Sequence, residues 1–90
     1  MPQIRFTSAL KRFFPGLEPG PLPGETVAEV VQALNEKYPG LADYLVDEQG
    51  RLRKHVNIFI GNVLIKDKVN LKDKVGQGDE VFIMQALSGG

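Results

Sequence analysis

Thr26-Val27-Ala28-Glu29-Val30-Val31-Gln32-Ala33-Leu34-Asn35-Glu36-Lys37-Tyr38 sets apolar side chains at Val27, Val30, Val31, Leu34 and Tyr38. That spacing belongs to one face of an α-helix. Thr26 followed by Glu29 is a capping-box pattern: the Thr hydroxyl can accept from the Glu29 amide, and the Glu carboxylate can reach back to Thr26. Pro39-Gly40 ends the helix. The apolar stripe is wide enough to lie on a sheet and to supply most of a core. A chain of ninety residues fits one domain with one modest core.

The flanking segments supply the sheet. On the C-terminal side, residues 41–46 predict a short turn anchored by Leu41 and Leu45, and Asp47-Glu48-Gln49-Gly50 is a loop turn. Residues 54–60 predict a strand with Val56, Ile58 and Ile60 on one face and His55, Asn57 and Phe59 on the other. Gly61-Asn62 is a two-residue turn into Val63-Leu64-Ile65. Residues 66–74 are charged, with Val69, Leu71 and Val75 expected to point inward. Gly76-Gln77-Gly78 turns the chain into a last strand over residues 79–85. On the N-terminal side, residues 3–8 alternate as a half-buried strand, and residues 9–14 suggest one helical turn with Phe13 and Phe14 in or over the core edge. Residues 15–24 hold four Pro and three Gly, which exclude a helix and a central strand. Residues 17–22 remain compatible with a short edge strand on the first strand. The expected architecture is α+β, a mixed sheet of four to five strands with one main helix across one face. It divides into a domain over residues 1–85 and a flexible tail over residues 86–90.

Composition removes several function classes. Net charge is zero, which argues against general nucleic-acid binding. The charge is unevenly spread: residues 1–50 carry net −3, residues 51–74 net +5 and residues 75–90 net −2. A locally basic surface suits an acidic protein partner. Apolar runs are too short for a membrane helix, and the N-terminus lacks a signal-peptide pattern. With no Cys there is no disulfide framework, thiolate metal site or Cys nucleophile, and the reading is cytoplasmic. The single His55 lies mid-strand with no partner for catalysis, and Asp79-Glu80 point to opposite faces. Gly76-Gln77-Gly78 is too short for a phosphate loop, no spacing suggests a metal site, and no bound cofactor is expected.

What remains is a surface and a tail. If the helix covers Ile4, Phe6, Val56, Ile58, Val81 and Ile83, the other sheet face shows Arg5, Asn57, Phe59, Phe82 and Met84. Phe59, Phe82 and Met84 make that face apolar enough to dock a partner, with Arg51, Arg53 and Lys54 available as a basic rim. After the last strand comes Ala86-Leu87-Ser88-Gly89-Gly90. A terminal Gly offers an α-carboxylate on a bare backbone that can enter a narrow cleft. That carboxylate is an anion at neutral pH and a poor electrophile. To react it must first be activated, for instance as an acyl-adenylate made by a partner from ATP. Sulfide attack then gives a thiocarboxylate, and amine attack gives an amide.

The helix after Gly24-Glu25-Thr26, the strand Arg53-Lys54-His55-Val56-Asn57-Ile58-Phe59-Ile60, the strand Gly78-Asp79-Glu80-Val81-Phe82-Ile83 and the terminal Gly89-Gly90 together resemble a ThiS/MoaD-type sulfur carrier of the ubiquitin-like β-grasp superfamily. The look is nearest to the CysO-like branch of bacterial cysteine synthesis. The resemblance implies that an activating enzyme of the ubiquitin-activating type adenylates Gly90. A sulfur donor then converts it to a thiocarboxylate, and a biosynthetic acceptor takes the sulfur. Ser88 and Gly89 belong to the threaded tail, and the sheet face contacts the partner. The chain would be a co-substrate rather than an enzyme. The pathway stays open among cysteine, molybdopterin, thiamin and related routes. Two other readings share the same features: a ubiquitin-like modifier joined through Gly90 to lysines, and an interaction domain whose Gly-Gly is incidental.

Overall fold

The computed structural model describes residues 1–85. In chain order the elements are β1 (Gln3–Phe6), α1 (Ser8–Phe13), β2 (Gly20–Pro21), α2 (Val27–Lys37), α3 (Leu41–Leu45), β3 (Val56–Ile60), β4 (Val63–Leu64) and β5 (Glu80–Gln85). The strands form one sheet in the order β2-β1-β5-β3-β4. β5 runs parallel to β1 and antiparallel to β3, so the sheet is mixed. The expected tail, with Ser88, Gly89 and Gly90, lies outside the described residues.

Helix α2 forms where its apolar spacing predicts. Thr26 Oγ1 accepts the Glu29 amide at 3.2 Å. The Glu29 carboxylate reaches one residue past the expected one and accepts Glu25 N–H at 3.0 Å. The Val27 and Ala28 amides have no carbonyl one turn earlier in the helix. They donate instead to Asp73 O at 3.0 Å and Leu71 O at 2.9 Å, which ties the 66–75 loop to the helix start. Val27, Val30, Val31 and Leu34 are buried, and with Ile4, Val56, Ile58, Val81 and Ile83 from the sheet they build the core. Leu41 and Leu45 of α3 and Leu10 of α1 complete it. None of the described helices is long and apolar enough to cross a membrane.

Several local expectations are corrected. The strand expected over residues 54–60 begins at Val56, because Val56 N–H donates to Arg53 O at 3.0 Å and closes a turn over Lys54 and His55. Edge strand β2 shrinks to Gly20–Pro21, since the neighbouring prolines offer no amide to the ladder. Phe13 is 58% exposed rather than in the core. Phe14, just past the helix at φ −132, turns onto the core, and Phe13 lies against the Tyr44 ring at 5.2 Å. Val69 is 56% exposed, whereas Leu71 and Val75 point inward as expected. Asp67 Oδ1 accepts the Val69 and Asn70 amides at 3.1 and 2.8 Å, and this turn throws Val69 outward.

Candidate docking face and tail root

Strand register decides what the open sheet face displays. Phe59 stands opposite Phe82 on one side and Leu64 on the other, and Phe82 pairs with Arg5. Residues directly opposite share a face, so Arg5, Phe82, Phe59 and Leu64 form one row across four strands. Asn57 and Met84 form the adjacent row. The residues between them in sequence, Ile58, Val81 and Ile83, are buried against the helices, so these rows lie on the face away from α2.

The structure therefore brings together Phe59, Phe82 and Met84. All three are half-buried, and none packs on the core. Leu64, 38% exposed, extends the apolar row to the sheet edge. It was missed because its face depends on pairing, although the Gly61-Asn62 turn, with Gly61 at φ 62, carries the signal. Arg5 makes an exposed ion pair with Glu80 at 3.8 Å on the same face.

Arg53 is not a strand residue. It lies in the segment between α3 and β3, where its amide donates to Leu45 O at 3.0 Å. Its Nε donates to Asp43 O at 3.0 Å. With Arg51, Lys54 and Lys68 it lines a concavity in front of β3. His55 sits in the turn with its ring edge-on to Tyr44 at 5.8 Å.

The end of β5 is fixed on both sides. Gln85 stands opposite Val56 of β3, and its amide donates to Thr7 Oγ1 at 3.4 Å. Gln85, the last described residue, thus sits in the central strand, between β1 and β3. Among the described residues no His, Cys, Asp or Glu side chains gather into a group that could hold a metal ion. Asp67 and Asp73 are loop builders, held below the usual carboxylate range by accepting backbone amides, Asn70 first for Asp67 and Lys66 first for Asp73. Asp79 Oδ2 accepts Gly76 N–H at 2.7 Å and so shapes the turn into β5. The arrangement offers an apolar face on the central strands of the sheet.

Known proteins share this fold. The chain is 30% identical over 69 residues to the sulfur carrier protein CysO of Mycobacterium tuberculosis, a match covering 74% of each. A chain of the crystal structure of the Amycolatopsis orientalis BexX/CysO complex superposes with a TM-score of 0.84 at 22% identity, covering all of both chains. The small archaeal modifier protein 1 of Methanosarcina acetivorans superposes with a TM-score of 0.78 at 26% identity, covering 98% of this chain and 94% of that one. The fold is the ubiquitin-like β-grasp. The model of the ThiS family matches residues 12–90, from α1 through the last glycine, and the chain belongs to that family.

Proposed function

We infer that the chain is a sulfur carrier that works through the carboxylate of Gly90. A partner activating enzyme of the ubiquitin-activating type joins that carboxylate to the α-phosphorus of ATP, releasing pyrophosphate. Hydrosulfide from a donor then attacks the acyl-adenylate carbonyl, AMP leaves, and the thiocarboxylate carries sulfur to a biosynthetic acceptor. The chain supplies no catalytic group of its own. The partner provides the electrostatics at the reacting carbonyl.

The observation that carries this reading is the family match extending through Gly89 and Gly90 on a fold whose central strand ends at Gln85. Phe59, Phe82, Met84 and Leu64 supply an apolar docking face beside that strand end. A sulfur carrier among the curated relatives and a chain of the BexX/CysO complex among the structural ones support the existence of a partner protein. The likeness to a small archaeal modifier protein favours a second use of the same adenylate, transfer to target lysines.

Intact mass spectrometry before and after treatment with the cognate activating enzyme, ATP and sulfide tests the reading. A sulfur-for-oxygen exchange localised to Gly90 is expected. An unchanged mass, with an enzyme shown to thiolate another family member, overturns it. Lysine adducts through Gly90 in cell extract would then identify the modifier.

A further inference from the structure

We propose that the basic concavity in front of β3 is a second docking point, which receives an acidic segment of the partner protein that takes up the C-terminal residues. This proposal rests on the carrier reading. Arg51, Arg53, Lys54 and Lys68 converge on one concavity of about 470 Å³, together with Asp47 and Val69. The frame is held by backbone bonds: Val46 bridges Leu52, Leu52 N–H donates to Lys68 O at 2.8 Å, and Arg53 N–H donates to Leu45 O at 3.0 Å. The backbone segments that carry these cations are thereby held side by side before any ligand arrives, which lowers the ordering cost of binding.

The charge there is largely uncompensated. Asp47 is already engaged: its Oδ2 lies 3.3 Å from Arg51 Nε, and its Oδ1 accepts the Gln49 and Arg51 amides at 2.9 and 3.0 Å. Arg53 binds a carbonyl, which orients the guanidinium without neutralising it. Lys54 and Lys68 are exposed and enter no ion pair among the described residues.

The shape selects among anions. The space exceeds what a single inorganic anion fills, and exposed Val69 offers apolar surface to the aliphatic part of a Glu side chain. The chain as a whole is neutral, and four of its eleven Lys and Arg residues line this one hollow, which suits a short acidic peptide better than a nucleic-acid backbone. The place also fits. The concavity immediately precedes Val56, which pairs with Gln85, so a partner seated at the tail root is within reach of it.

The test is an amide chemical-shift titration with hexaglutamate, inorganic phosphate and oligothymidylate as probes. Hexaglutamate is expected to shift residues 51–55 and 68–69. The double variant Lys54→Glu/Lys68→Glu, whose side chains make no hydrogen bond among the described residues, should lose that response. The absence of a localised shift, an equal response in the variant, or equally tight binding of phosphate or oligothymidylate overturns the proposal. With the cognate activating enzyme, the variant should associate about tenfold more slowly at low salt. The difference should vanish near about 0.5 M salt, where screening acts within a few ångströms. Equal association rates for wild type and variant at low salt also overturn it. If the wild-type chain binds no activating enzyme, the carrier reading fails, while the hexaglutamate titration still decides the concavity.

Discussion

Gly24 lies tightly against the first turn of α2. A Cβ there would stand 2.7 Å from Val30 Cγ2 and 2.9 Å from Val30 N, and Gly24 also sits at φ 156. Neither the helix backbone nor buried Val30 can yield, so Gly24→Ala should cost about 1–3 kcal/mol in urea unfolding. Gly16→Ala, with nothing within 4 Å, should leave the midpoint unchanged and serves as the control. The two faces of β5 offer a second contrast. Ile83 is fully buried, so Ile83→Ala should lose about 2–5 kcal/mol of stability. Phe82, half-buried on the open face, should behave oppositely. Phe82→Ala is expected to weaken binding to the activating enzyme by about tenfold or more, as a central aromatic anchor does, with a smaller loss of stability. Calorimetric titration beside thermal unfolding separates the two, and a large fall in Tm with intact binding would make Phe82 a core residue. The alternation that places Phe59, Phe82 and Met84 together is legible from the sequence, because period-two patterning is local. Leu64 required the register of β3 with β4. Arg53 required the path of the loop before β3, which no periodicity encodes.

Among the elements, α2 and the 66–75 loop depend on each other. The loop satisfies the first amides of the helix through Leu71 O and Asp73 O, and Leu71 is held at φ 55 with its side chain buried. A non-glycine residue adopts that conformation only when its surroundings impose it. Here the imposing groups are carboxylates. Asp73 accepts the Lys66 and Asp67 amides at 2.9 and 2.8 Å, and Asp67 accepts those of Val69, Asn70 and Lys72. Both carboxyls are held below the usual carboxylate range, chiefly by these amide bonds. A carboxyl depressed in the folded state contributes stability that is fully present above its unfolded pKa and is lost as pH falls through the folded value. The urea midpoint should therefore be flat near neutrality and decline below about pH 4. Asp73→Asn, which presents an NH2 group to one of two amide donors, should lower the neutral midpoint and flatten the acid decline. An unchanged acid limb in that variant would remove Asp73 from the account. The helix was legible because the capping box and the apolar stripe lie within one segment. The outward turn of Val69 was not, because it depends on which amides the Asp67 carboxylate collects.

At the scale of the whole molecule, the last strand closes the fold. β5 lies between β1 and β3, carries Val81 and Ile83 into the core, and ends at Gln85 against Thr7 and Val56. Without β5 the sheet would fall into two edges with their inner residues exposed. Among the described residues the buried core reaches no further along the chain than Ile83. The described core thus needs nothing past Ile83, whereas the proposed carrier chemistry lies at Gly90. Changes at the last glycine should then separate the two properties. Gly90→Ala, or one residue added after Gly90, is expected to leave the unfolding midpoint within about 0.5 kcal/mol of wild type, as surface substitutions do. On the proposed reading the same variants should block thiocarboxylate formation, because a Cβ would crowd, and an extra residue would displace, a carboxylate offered on bare backbone. Truncation after Gln85 should keep the fold and lose the chemistry, whereas truncation before Glu80 should unfold the domain. Circular dichroism melts read the first property and intact mass after reaction with enzyme, ATP and sulfide reads the second. Full thiolation of the extended chain would show that the activating enzyme does not measure the tail from the sheet, and would remove Gly90 as the reacting residue.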